Sequence, residues 1–400
     1  MNAANVAAPA APFSLLGLWN DSRYRSYIVQ FLTLVVLFTS IGWLIDNAVS
    51  NLARQGKEFG FEFLVLPASY DINQRLIPYT SQDTHARAAL VGILNTLLVA
   101  VIGCLVATVL GFGLGIARLS TNWLVSRLSY VYMEFTRNVP VLLHILFWHG
   151  IIINVMPSPR DLLSSGTAGN FILTNRGFIL PRPIFEELFA AVLIALVAAV
   201  GIAIVYRSWA HRRQELTGRP YPVLLTGLGV IVALPLVTFF AIGSPLSFEY
   251  PEPSRFNFRG GLSITPEFFA LTFALSIYTA AFIGENVRAG IQAISRGQWE
   301  AAGALGLRRS WILQLVIIPQ ALRVIVPPLT SQYLNLTKNS SLAIAIGYMD
   351  VVATLGGITL MQTGKEMETN ILLMGFYLVI SLLISVVMNV YNKAIALKER

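Results

Sequence analysis

The sequence predicts an all-α polytopic membrane protein with about eight transmembrane helices, and three observations carry the prediction. Of 400 residues, 55% are hydrophobic and 12% charged, about half the charged share of a soluble domain, so polar surface cannot coat a soluble globule. Eight apolar runs approach the roughly 20 residues needed to cross about 30 Å of hydrocarbon. The polar segments between them are denser in arginine on alternate sides, Arg212-Arg213 in one short loop above all, which is the pattern that orients membrane helices. The net charge of +8 then belongs to loops near anionic lipid and not to nucleic-acid binding. The single cysteine, Cys104, lies inside an apolar run and excludes an internal disulfide or Cys-rich metal site.

Residues 1–22 are rich in Ala, Asn and Pro with no basic residue before Arg23, neither a signal peptide nor a folded unit. Residues 1–25 read as a cytoplasmic tail and 26–45 as a transmembrane helix of their own. The second run, Leu90–Ala117, holds Gly111-x-x-x-Gly115, a spacing that lets membrane helices approach closely or simply lets one flex. A loop follows, containing Arg137-Asn138-Val139-Pro140. Arg137 suits the carbonyl end of the preceding helix or a lipid phosphate, and Pro140 the first turn of the next span, Val139–Met156. His144 and His149 are five residues apart, on different helix faces, while His85 and His211 sit in separate loops. No metal site and no catalytic arrangement is expected. Two further spans, Leu188–Tyr206 and Val223–Gly243, are joined by a basic loop. Segments 46–87, 157–187 and 244–265 read as ordered outer loops or short surface helices.

The sixth span, Phe268–Ile291, closes with Glu285 and Arg288, three apart and able to pair on one face at the inner boundary. Residues 295–310 then form a polar, small-residue helix. Ser295 and Gln298 have capping-box spacing, Glu300 falls in the first turn, and Ala301, Ala302 and Ala304 leave the backbone approachable. Gly306 can end the helix in a left-handed conformation, with Arg308-Arg309 beyond it. A bare amphipathic connector would carry larger apolar residues; this segment suits a helix gripped by another protein. From Trp311 to Gly347 the apolar character outlasts one straight span, and Pro327-Pro328 is expected to kink the helix. The polar stretch Asn335-x-x-Lys338-Asn339-Ser340-Ser341 follows. A lysine between apolar runs is costly and functional by default, and irregular polar backbone at membrane depth lines a cavity; a snorkelling lysine at the outer interface is the other reading. The eighth run, Ile371–Val390, returns the chain inside, so both termini are expected in the cytoplasm.

Several of these stretches resemble one family. Glu300-Ala301-Ala302, three residues, Gly306, nine residues and Val316-Ile317-Ile318-Pro319 resembles the EAA loop of ABC-importer permeases, whose pattern usually ends Ile-x-Leu-Pro. There the loop is a coupling helix docked on a cytoplasmic ATPase, which implies ATPase coupling by Glu300, Ala301, Ala302, Gly306 and Arg308. Glu285-Asn286-Val287-Arg288-Ala289-Gly290 is similar to the Glu-x-x-Arg-Gly-Gly segment of amino-acid permeases, and Phe135-Thr136-Arg137-Asn138-Val139-Pro140 to their Phe-Arg-Gly-Thr-Pro segment. Arg137, Pro140, Glu285 and Arg288 are thereby expected to be structural. Lys338-Asn339-Ser340-Ser341-Leu342 resembles the Lys-Asp-Thr-Ser-Leu stretch of polar amino-acid permeases. That implies a substrate path along Asn335, Lys338, Asn339, Ser340 and Ser341, with Lys338 suited to an α-carboxylate.

The resemblance spans residues 88–390 as a type-1 transmembrane domain, with two spans inserted within 158–265 and an extra one at the start. It looks most like permeases of general L-amino-acid systems, including those for glutamate, glutamine, aspartate and asparagine. It implies import from periplasm to cytoplasm across a bacterial inner membrane. The implied partners are a second homologous permease, an ATPase dimer, a periplasmic amino-acid-binding protein and membrane lipid, with no nucleic acid. The chain holds no Gly-x-x-x-x-Gly-Lys-Ser/Thr loop, so ATP is expected on the partner and no cofactor here. Permeases for cationic amino acids often carry Asp after the lysine; with Asn339 here, neutral and acidic polar amino acids are expected to be carried at least as well as arginine or lysine. The alternative, a self-powered secondary amino-acid transporter, predicts inverted repeats and intramembrane proton or sodium carboxylates, and the sequence shows neither.

Overall fold

The computed structural model describes residues 22–395 apart from 55, 57, 166–168, 219–220 and 256. The expected tail up to residue 21, together with Arg219, Lys398 and Arg400, lies outside them. Ten helices organise the described residues: α1 Ser22–Arg54, α2 His85–Arg118, α3 Trp123–Asn138, α4 Val141–Val155, α5 Phe189–Thr217, α6 Val223–Ala241, α7 Pro266–Gln292, α8 Arg296–Ala304, α9 Ile318–Asn339 and α10 Glu366–Ile395. Eight stretches are long and apolar enough to span a membrane, matching the eight runs.

The bundle is built around α7, of whose most apolar window 61% is buried. Small residues make that possible. Ala270, Ala274, Ala280 and Ala281 are all fully buried, and the partner helix α2 presents glycines to α7. A Cβ placed at Gly111 would stand 2.5 Å from Ile283, and one at Gly115 2.6 Å from Val287. The Gly111-x-x-x-Gly115 spacing is therefore a close helix crossing, where small residues let backbones approach. Helices α4 and α9 complete the core, with Ile145, Leu275, Ile325, Leu329 and Leu336 in one apolar cluster.

Three expectations need correction. The stretch before Pro140 is not a loop: α3 is a 16-residue helix, capped by Asn122, whose side chain accepts from the N–H groups of Leu124 and Val125. Its outer face carries Trp123, Leu128 and Phe135, too mixed with Arg and Glu to show as a span. Secondly, α9 runs through Pro327-Pro328 without a break; neighbouring helices and local adjustments can satisfy the freed backbone groups inside a membrane bundle. The irregularities fall instead in a π turn over Leu313–Ile317 and a 3-10 segment over Ser340–Ile346.

Thirdly, the segments near 157–187 and 244–265 hold strands. β1 (Ile172–Thr174), β2 (Gly177–Leu180) and β7 (Leu262–Ile264) form one antiparallel sheet; β3 (Arg182–Phe185) pairs with β4 (Leu246–Glu249) and β5 (Glu252–Pro253) with β6 (Phe258–Arg259). Strands of two to four residues are too short to reveal an alternation. A feature that no expectation covered is Asp350, a fully buried carboxylate in the apolar stretch after Ile346. Its Oδ1 accepts the Ala353 N–H at 2.8 Å, capping the π-helical segment Val352–Thr359, and its Oδ2 has no partner.

Candidate functional site

Two groups of sequence-selected residues lie far apart on the molecule. The first is the protruding helix α8. Ser295 stands at its N-cap but makes no side-chain bond, so the expected capping box is not formed. Gln298 uses its side chain elsewhere, accepting from Gln320 Nε2 of α9 at 3.1 Å. Because α8 begins at Arg296, Glu300 falls one turn later than the sequence spacing suggested. Gly306 does take the left-handed conformation, at φ +71°, with open space around it.

Glu300, Ala301, Gly306 and Arg308 are exposed, and Leu305 is 81% exposed. Ala302 is not: it is buried and packs in a cluster with Ile312 and Ile317, flanked by Trp299 and Val316. Ala302 is thus the inward anchor of α8, and the surface offered outward is Glu300, Ala301 and the Gly306 turn. A helix clamped on one face and bare on the other can pass a push on its outer face into α9.

At the same end, Arg288 Nε donates to Glu285 Oε2 at 3.0 Å, and Arg288 also reaches Gln292. The pair stiffens the last turns of α7 where the chain leaves for α8. Arg137 lies nearby, its guanidinium 5.6 Å from the Phe282 ring centre and 3.6 Å from Glu134. At the carbonyl end of α3 the side chain that binds back is that of Asn138, its last residue, whose Nδ2 donates to the Glu134 carbonyl at 2.7 Å, and not that of Arg137. Pro140 occupies the N-cap of α4, one position before the expected first turn. His144 joins the two helices, its Nε2 lying 3.3 Å from the Thr136 carbonyl.

The second group is on α9. Val324, Pro328, Ser331, Asn335 and Lys338 are exposed at alternating steps of four and three, with Pro327 exposed beside them, which makes one open face. Depth follows from what the opposite face touches. Leu336 packs against Gly103, near the middle of the 34-residue α2, and the Tyr333 hydroxyl is 2.8 Å from Thr108 Oγ1. Lys338, half a turn past Leu336, therefore stands close to the level of the middle of α2.

Asn335 and Lys338 share the open face; the serines do not join them. Ser340 is fully buried, its hydroxyl donating to the Thr337 carbonyl at 2.7 Å, and Ser341 Oγ donates to the Lys338 carbonyl at the same distance. Both bond three residues back, as serines at a helix end do. Their effect on this site is to fix the turn that ends α9.

Two features carried no expectation from the sequence: Asp350, and a cleft at the start of α2. The cleft is lined by Glu58, Glu62, Phe63, His85, Thr363 and Lys365 among others. The signal for Asp350 was a lone carboxylate between apolar runs, with Gly347 before it and Gly356-Gly357 after. Nothing local marked the cleft, because His85 meets Thr359 (Nδ1 to Oγ1, 3.0 Å) across 274 residues of sequence.

The family described as the binding-protein-dependent transport system inner membrane component matches residues 217–400. Relatives cover nearly the whole chain. The general L-amino acid transport system permease protein AapQ of Rhizobium johnstonii is 50% identical over 95% of this chain and 94% of its own length. The glutamate/glutamine/aspartate/asparagine transport system permease protein BztB of Rhodobacter capsulatus is 48% identical over 98% of both chains. BztC, named for the same system in that organism, is 30% identical over 43% of this chain and 39% of its own. With eight apolar spans and this similarity from end to end, the chain is a multi-pass inner membrane protein that belongs to the binding-protein-dependent transport system inner membrane components, among the amino-acid ABC transporter permeases.

Proposed function

We propose that this chain imports polar L-amino acids, the acidic and amide ones included, by lining half of a path whose opening is driven by a separate ATPase through α8. The observation that carries the proposal is the one-sided anchoring of α8. Its inner face is held by Ala302 against Ile312 and Ile317, in and just before the π turn that leads into α9, and reaches α9 itself through the Gln298–Gln320 bond, while Glu300, Ala301 and Gly306 stand bare. In this reading, closure of an ATPase dimer displaces α8, the π turn at Leu313–Ile317 takes up the strain, and α9 tilts. Its open face, with Asn335 and Lys338, then alternates between the two sides. That face needs a second surface to close the path, which a second permease supplies; AapQ and BztB relatives make a binding-protein-dependent importer the fitting assembly. Both termini and α8 are then cytoplasmic, and ATP binds to the partner.

Two experiments test this. Glu300→Lys, or Gly306→Val, which forces a β-branched residue into a left-handed turn, is expected to leave the protein in the membrane. Either should abolish ATPase co-purification and uptake together; survival of both refutes the coupling role. Lys338→Ala is expected to reduce glutamate and glutamine uptake in competition assays more than tenfold, from loss of a charge-assisted contact worth about 1.5–3 kcal/mol. Unchanged uptake of glutamate, glutamine and arginine would remove Lys338 from the path.

A further inference from the structure

The α5–α6 hairpin takes no part in the site described above. Along α5, Ala198, Gly201, Ile202, Val205, Tyr206 and Trp209 line an open apolar groove. Positions 198, 202, 205 and 209 step by four and three, with 201 and 206 beside them, so all lie on one helix face. α6 packs on another, where a Cβ placed at Gly227 would stand 3.8 Å from Ala203, and only 6% of the most apolar window of α5 is buried. From Ala198 to Trp209 the helix rises about 16 Å, close to half of the roughly 30 Å hydrocarbon layer. The groove is therefore one leaflet long.

Its polar end is built differently from the rest of the helix. Trp209 sits between Tyr206 and Tyr221, with ring centres 5.9 Å and 5.3 Å away. That is the aromatic girdle found at headgroup level. The same three-and-four stepping continues to Arg212 and Arg213, both exposed, and the Arg213 guanidinium lies 5.7 Å from the Trp209 ring centre. Neither arginine forms an ion pair among the described residues. A partner helix laid in the groove would cover the apolar residues and leave two cations without counter-charge. An acyl chain in the groove carries a phosphate to them.

We propose that the α5 groove, closed at its polar end by Arg212 and Arg213, is a binding site for one anionic phospholipid of the adjoining leaflet. Arginine forks suit phosphate oxygens, and the indole of Trp209 lies at the level of the glycerol backbone. The hairpin is thereby seated by lipid and not by the core.

Bromine-labelled acyl chains provide the test, since they quench only tryptophans they touch. The full chain is reconstituted in nanodiscs of phosphatidylcholine with increasing brominated phosphatidylglycerol or brominated phosphatidylcholine. Subtracting the Trp209→Phe signal isolates this indole among seven tryptophans. The anionic lipid is expected to quench Trp209 at a mole fraction about tenfold lower than the zwitterionic one. The preference should vanish in Arg212→Gln/Arg213→Gln and persist in the corresponding pair of lysines, and Gly201→Leu should weaken quenching by both lipids. Equal quenching by the two lipids in the wild type overturns the proposal, as does a preference that survives the glutamine pair. Quenching by neither means that protein fills the groove and overturns it likewise. Should the glutamine pair prove polydisperse, Gly201→Leu and the lysine pair decide.

Discussion

The α2–α7 pair and the α5–α6 hairpin are both made of long apolar helices, yet they pack in opposite ways. In the first, glycines of one helix receive Ile283 and Val287 of the other so closely that a single methyl would collide. In the second, a methyl at Gly227 would meet Ala203 only at an ordinary 3.8 Å, and Gly201 and Gly229 have nothing within 4 Å of where one would stand. The hairpin is the more apolar of the two and the less buried: 6% and none for α5 and α6, against 61% for α7. Inside a bilayer lipid tails are as apolar as leucine, so hydrophobicity does not drive helices together; shape and interhelical bonds do. Burial therefore follows small residues such as Ala274, Ala281 and Gly284, with hydroxyls such as Ser276 satisfied on their own helix at the Thr272 carbonyl, 2.6 Å away.

That comparison can be broken most directly at its tightest contact. Gly115→Leu is expected to cost about 3 kcal/mol or more through overpacking against Val287, seen as loss of monodisperse protein after detergent extraction. Gly229→Leu in the hairpin should leave the yield unchanged, and equal damage from both would refute the distinction. A smaller effect is expected at the end of α7. Glu285→Ala removes a part-exposed, charge-assisted contact with Arg288 and should cost about 1 kcal/mol, measured as a lowered unfolding midpoint in detergent.

Arg137→Ala, which loses the Phe282 stacking and a 3.6 Å ion pair with Glu134, is expected to cost about 0.5–1 kcal/mol; Arg137→Lys should recover only part of it. The smallest effect is the most telling. The β3–β4 ladder continues to a bond from the Glu186 N–H to the Pro245 carbonyl at 3.3 Å, so its strand ends are already adjacent. Excising residues 187–244 and joining the ends through Asn-Gly, which suits a two-residue hairpin turn, should shift the unfolding midpoint by no more than about 3 °C. A collapse of the fold on excision would show that the core leans on the hairpin after all.

Much of the fold was legible because its signals are short-range. Length and apolarity mark a span wherever it sits, and all eight were found in this way. Glu285 and Arg288 meet because three residues bring side chains together on a helix. The left-handed turn at Gly306 needed only a residue without a Cβ. Where short-range signals failed, a distant partner had intervened: Gln298 abandoned its expected cap for Gln320, and α9 carried two prolines unbroken among its neighbours.

The sequence by itself thus determined the class of protein, the number of spans, the exposed helix α8 with its glycine stop, and the local ion pair at the end of α7. Each depends on residues within a turn or two of one another, or on an average over one span. Tertiary structure alone decided which residues face which way and how deep they lie. It turned Ala302 inward and buried Ser340. Asp350 was sealed beside Thr96, whose hydroxyl accepts the neighbouring Val351 N–H across 255 residues. Lys338 was set close to the level of the middle of α2 by packing Leu336 on Gly103. Facing and depth are properties of contacts between helices far apart in the chain, and a hydropathy pattern that is equally apolar on every side holds no record of them.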